Sequence, residues 1–116
     1  MSGRFAVCCA QRFPDQVKAT ASIYGVKLVT EEDNSPHLVA RDSSAEFYFA
    51  CAETDHWAPM EMVEQMKTDL AEANGEVEVY PGTHHGFAFP QRPVFDKPAA
   101  ERHWERVLSL FRRNLA

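Results

Sequence analysis

Apolar positions along this chain change their period several times, and each change marks an element. Phe5, Cys8, Cys9 and Phe13 fall at helical spacing. They predict a helix over Ser2–Phe13 with those four on one apolar face, stopped by Phe13-Pro14-Asp15. Val17–Tyr24 is short and rich in small residues, between Asp15 and Gly25. It predicts a strand covered on both faces, as in a parallel sheet. Val26–Ser44 has no clear period: Glu31–Pro36 and Arg41–Ser44 are turn-rich, so the expectation is a long connection. Ala45–Ala52 is aromatic and almost continuously apolar, the pattern of a central buried strand.

Beyond that strand, Glu53-Thr54-Asp55-His56 is polar and Pro59 suits the first turn of a helix. Val63, Met66, Leu70 and Ala73 form its stripe, and Asn74-Gly75 reads as its C-terminal cap. Glu76–Tyr80 alternates valine with acid and predicts a strand that Pro81-Gly82 breaks into a loop. Strand, helix, strand over Ala45–Tyr80 implies two parallel neighbours. A last helix follows, capped by Asp96 with Pro98 in its first turn. Trp104, Val107, Leu108, Phe111 and Leu115 are its expected buried stripe, and Arg112 and Arg113 suit its C-terminal dipole. The fold class is α/β: one domain, residues 1–116, with about three parallel strands between helices on both faces.

Composition narrows the classes of function. The chain has 116 residues, is 45% hydrophobic and 25% charged, and carries a formal net charge of −5. That is an ordinary globular composition. Its basic residues are scattered apart from the last helix, which argues against nucleic acid. No apolar run is long enough to span a bilayer. Arg4 and Gln11-Arg12 interrupt the N-terminus before a leader's apolar core develops, so no signal peptide is expected. Cys8, Cys9 and Cys51 show neither disulfide nor metal spacing, and an odd count without a leader suggests the cytoplasm.

Candidate chemistry gathers at the strand ends. Asp55 follows one strand and His84-His85 the next, so both emerge at the carboxyl edge of the sheet, where open α/β folds keep their sites. Neighbouring strands are about 5 Å apart, and an aspartate beside a histidine fixes its tautomer and steadies the imidazolium. Asp55 before His85 is also the order of acid and histidine in an α/β-hydrolase, whose nucleophile comes earlier in the chain. A metal site from Asp55, His56, His84 and His85 matches no ligand spacing. Cys8 and Cys9 lie mid-helix and Cys51 in a strand, where buried thiols are inert. His37 and His103 read as structural or solvated, and Trp57 and Phe87 as possible walls of a pocket.

Four segments now point to a family: Ala19–Gly25, Asn34-Ser35-Pro36-His37-Leu38, Glu53-Thr54-Asp55, and Tyr80-Pro81-Gly82-Thr83-His84-His85-Gly86-Phe87. Together they resemble the C-terminal half of the dienelactone hydrolase family. The resemblance implies an α/β-hydrolase fold and hydrolysis of carboxylic esters or lactones without metal or cofactor. Asp55 then matches the triad aspartate and His85 the triad histidine. Met1-Ser2-Gly3 resembles the residues just after the family's nucleophile, a remnant of its elbow and oxyanion hole. The nucleophile would be the residue before Met1, and Ser2 is two places out of register for it. Phe89 stands where enzymes acting on dienelactone have an arginine for the substrate carboxylate. The chain is therefore expected to be weak or inactive alone. The alternative is a non-catalytic fragment that associates with itself. A sheet opened at Val17–Tyr24 by the missing nucleophile strand leads to the expectation of a homodimer paired along that edge.

Overall fold

A three-stranded parallel sheet in the order β1-β2-β3 carries the molecule. The computed structural model describes residues 2–115. The elements in chain order are α1 (Gly3–Arg12), β1 (Ala19–Ile23), α2 (Pro36–Arg41), β2 (Glu46–Thr54), α3 (Met60–Asp69), β3 (Gly75–His84) and α4 (Lys97–Leu115). The central strand explains the layering. Side chains of a strand alternate faces: Phe47, Phe49 and Cys51 join the core under α1, α2 and α3, while Tyr48, Ala50 and Ala52 join the core under α4. Phe49 is 2% exposed at the centre, and truncating it to alanine is expected to cost about 3–5 kcal/mol. Three layers result, the partial α/β-hydrolase arrangement expected.

Element boundaries differ from the sequence pattern in instructive ways. β1 is shorter than Val17–Tyr24: it begins at Ala19, and Tyr24 turns to a positive φ of 39° just past its end, its N–H still bonded to β2. The connection after it contains α2, which the pattern did not show. Ser35-Pro36 starts this helix, a signal hidden by the helix's brevity. β2 runs on through Glu53-Thr54. β3 runs on past Pro81-Gly82 to His84, because a bulge absorbs the extra residues: Ala52 pairs with Tyr80, but Thr54 with His84.

Both outer helices present different faces from those expected. α1 buries Val7 and Ala10, while Cys8 and Cys9 are exposed and Phe5 and Phe13 are 54% and 45% exposed. Its small residues permit close approach to β1 and its bulky ones do not. α4 buries Ala99, Ala100, His103, Val107 and Leu110. Of the predicted stripe only Val107 is buried; Phe111 is partly buried, and Trp104, Leu108 and Leu115 are exposed. The core beneath is filled by Tyr48, Tyr80 and Phe87, so the helix turns its smaller side chains inward. Asp96 does cap α4, its Oδ1 accepting the Ala99 N–H at 3.0 Å. Three of the helix's four arginines are paired: Arg102 with Glu78, Arg106 with Glu76 and Glu78, and Arg113 with Glu46. No described helix is long and apolar enough to cross a membrane.

Candidate active site

Register brings the two expected residues together. Thr54 lies opposite His84, so Asp55 and His85 leave adjacent strands at the same edge. The bulge before His84 is held by two bonds. The Gly82 N–H donates to Glu53 Oε2 at 2.8 Å, and Thr83 Oγ1 donates to the Tyr80 carbonyl at 2.7 Å. Beyond His85 the chain turns sharply at Gly86, with φ +92° and the Arg92 side chain 3.1 Å from where a Cβ would stand. Glycine has no Cβ to meet it.

His85 Nδ1 lies 2.7 Å from Asp55 Oδ2. A carboxylate only accepts, so Nδ1 carries the proton and Nε2 keeps the free lone pair. Asp55 is sealed, its side chain 0% exposed against 30% for that of His85. Its other oxygen accepts the backbone N–H groups of Trp57 at 2.8 Å and Ala58 at 3.2 Å. Three donors thus compensate a buried charge that would otherwise be costly. The arrangement suits an imidazole that takes up a proton on Nε2 and gives it back.

A cleft of about 760 Å³ opens beside His85. Its walls are Ser2, Gly3 and Ala6 from the start of α1, Ala21 to Gly25 from the end of β1, Ala88 to Pro90, and His103 and Trp104 of α4. Ser2 and Gly3 therefore share the cleft with His85; Met1 lies outside the described residues. α1 lies so close to β1 there that a Cβ on Gly3 would meet Ser22 Oγ at 2.3 Å. The Ser22 hydroxyl is buried without a hydrogen-bond partner among the described residues.

Trp57 and Phe87 do not wall this cleft. Trp57 is 65% exposed, its backbone tied to Asp55 while its ring stacks edge-on to His56. Phe87 is fully buried behind the site because the turn after His85 folds into the α4 core. Cys8 and Cys9 are exposed on α1 and do not line the cleft. Cys51 is buried, and burial with the nearby Asp55 charge pushes its thiol up to about 12, which keeps it protonated. Among the described residues no three His, Cys, Asp or Glu side chains are grouped to hold a metal ion.

Two contributors escaped the sequence pattern. Tyr24 reaches the cleft and packs on His85, with ring centroids 4.8 Å apart. Burial pushes its hydroxyl up, partly offset by the Arg92 charge. The dipeptide Tyr24-Gly25 at a strand end was the available signal. His103 is buried rather than solvated, donates from Nδ1 to the Ala100 carbonyl, and its burial lowers its affinity for a proton.

Comparison with known proteins speaks to the family and the fold. The dienelactone hydrolase family matches residues 1–115. A candidate carboxymethylenebutenolidase from Escherichia coli K12 is 33% identical over 103 residues, covering 84% of this chain and 38% of that protein. One from Yersinia pestis is 35% identical over 115 residues, covering 94% and 42%. The chain thus spans about two-fifths of the length of these relatives. Among solved structures, a candidate dienelactone hydrolase from Klebsiella pneumoniae superposes with a TM-score of 0.80 at 31% identity, covering 94% of this chain and 47% of that one. Thermogutta terrifontis esterase 2 shares the fold at a TM-score of 0.68 and 16% identity, covering 93% and 51%.

Proposed function

This chain belongs to the dienelactone hydrolase family, and from that premise we propose that it is the acid–base half of a hydrolase acting on carboxylic esters or lactones. The observation that carries the reading is the 2.7 Å bond from His85 Nδ1 to Asp55 Oδ2 beside the cleft. A hydroxyl or thiol ahead of Met1 gives its proton to His85 Nε2 as it bonds to the ester carbonyl carbon. The oxyanion that forms faces the N–H groups opening α1, where Ser2 and Gly3 lie. Collapse expels the alcohol, which takes the proton back from His85. Water then loses a proton to His85 and attacks the acyl carbon, and the acid leaves as the nucleophile is reprotonated. Phe89, half-exposed at the cleft where enzymes acting on dienelactone have an arginine, supports an uncharged acyl group rather than dienelactone itself.

None of Cys8, Cys9 and Cys51 meets the nucleophile's needs, for the reasons of position and protonation given above. Residues 1–116 alone are accordingly expected to turn over a panel of p-nitrophenyl esters at close to background. Robust turnover abolished by His85→Ala, with a covalent ester probe on Ser2 or Cys9, would contradict this and identify the nucleophile within the chain. The three free cysteines support a cytoplasmic location.

A second reading, self-association without catalysis, is favoured by one observation. β1 is an edge strand of the three, and the exposed Phe5, Phe89, Trp104 and Leu108 lie on α1, α4 and the cleft loop. A second copy paired along Ala19–Ile23 would cover the edge.

A further inference from the structure

His85 is held by its own Cβ and by one side-chain hydrogen bond, which leaves coupled rotation about χ1 and χ2 without a second side-chain support. Asp55 holds His85 at Nδ1 alone, and a 30% exposed imidazole held there can still tilt about that contact. Its face needs a second support for Nε2 to keep one direction. Tyr24 is in contact with that face, with centroids 4.8 Å apart and planes inclined by 55°. Phe87, fully buried, stands edge-on to Tyr24 at 5.4 Å and against Tyr80 at 5.0 Å. An aromatic series therefore runs from the core through Tyr24 to His85.

The backbone at Tyr24 is unusual in the same sense. Its φ is +39°, a region that bulky residues rarely enter. Such strain persists only where the surroundings over-determine it. Here the Tyr24 N–H donates to the Ala50 carbonyl at 2.6 Å, and a Cβ on the following Gly25 would meet Ser22 Oγ at 2.2 Å. The hydroxyl of Tyr24 has no hydrogen bond among the described residues, so the ring rather than its polar tip accounts for the placement.

We propose that Tyr24 is a positioning residue for His85, its strained backbone holding the ring against the imidazole face so that Nε2 points into the cleft. The proposal rests on His85 being the base of the site, but its readout needs no turnover. Nitrogen-15 and proton NMR of the His85 ring reports the Nδ1 proton and its exchange with water. Tyr24→Phe keeps the ring and is expected to leave exchange unchanged. Tyr24→Leu and Tyr24→Asn remove it, and exchange is expected to quicken about fivefold, the worth of one aromatic pair. Asparagine tolerates positive φ, so Tyr24→Asn separates loss of the ring from backbone strain. A protected Nδ1 proton in both ring-less variants would overturn the proposal. Should either unfold, the unsubstituted chain decides: nuclear Overhauser contacts between the Tyr24 and His85 ring protons are expected, and their absence overturns the proposal. Failure of the hydrolase reading would instead appear as an esterase indifferent to His85.

Discussion

Gly3 and Ser22 are in such close contact that residue 3 cannot carry a side chain without movement. A Cβ there would meet Ser22 Oγ at 2.3 Å and Ser22 Cβ at 3.2 Å. Alanine is a better helix former than glycine by up to about 1 kcal/mol, but Gly3 is the first residue of α1 and gains little. Overpacking typically costs about 1–3 kcal/mol, so the clash wins. Gly3→Ala is expected to lower stability by roughly that amount in urea titration. Ser22→Ala removes a buried hydroxyl without a partner and is expected to be neutral or stabilising by about 1 kcal/mol. Combined with Ser22→Gly, the Gly3→Ala cost should largely vanish, because the two sites share one contact.

Ser35, His37 and Asp69 form a second Ser–His–Asp chain, with the ring nitrogens exchanged relative to a triad and the serine buried. Ser35 Oγ lies 2.7 Å from His37 Nδ1, and His37 Nε2 lies 2.8 Å from Asp69 Oδ2. Ser35 is 0% exposed and its Oγ also accepts the Thr30 N–H at 2.8 Å. The relay ties the connection after β1 to α3. His37→Ala is expected to cost about 2 kcal/mol or more, since it leaves buried polar groups unpaired. Limited proteolysis should then cut between residues 26 and 44. A fluorophosphonate probe is expected to leave Ser35 unlabelled in the unsubstituted chain.

His103 makes stability depend on pH. Burial holds its proton affinity below the ordinary value of 6.5, so the unfolded chain binds the proton more readily than the folded one. Its contribution is present above 6.5 and lost as pH falls through the lower folded value. His103→Gln cannot titrate. Urea unfolding from pH 7.5 to pH 5 should show a shallower decline for the variant than for the parent; parallel declines would contradict the assignment.

Sequence periodicity placed the sheet and the two site residues because β2 has no competing pattern: six consecutive residues of aromatic and small apolar character, Phe47–Ala52, admit one reading. It misjudged α1 and α4 for a shared reason. Each helix has apolar residues on more than one side, and periodicity cannot tell which side meets the sheet. Shape decided that, with Val7, Ala10, Ala99 and Ala100 fitting where Phe5 and Trp104 do not. Tyr24-Gly25 at the strand end marked a turn, but not the positive φ of Tyr24 on which its place against His85 depends. α2 was hidden because six residues are too few to show a helical period.

Pairing of two copies along β1 would make the chain a dimer at micromolar concentration. Sedimentation equilibrium checks this, and Ala21→Pro, which removes an N–H from the edge, should weaken association at the same loading. A stable monomer, or a dimer whose contacts avoid both β1 and α1, would contradict it.

The most direct measurement of the central claim supplies the nucleophile. Residues 1–116 are joined behind the corresponding N-terminal portion of the Escherichia coli relative, and p-nitrophenyl ester hydrolysis is followed for the chimera, its His85→Ala form and its Asp55→Asn form. The account expects turnover in the chimera, a fall of about a thousandfold or more in kcat with His85→Ala, and a large fall with Asp55→Asn, as for a triad acting as a unit. A folded chimera whose turnover is indifferent to both substitutions would contradict it.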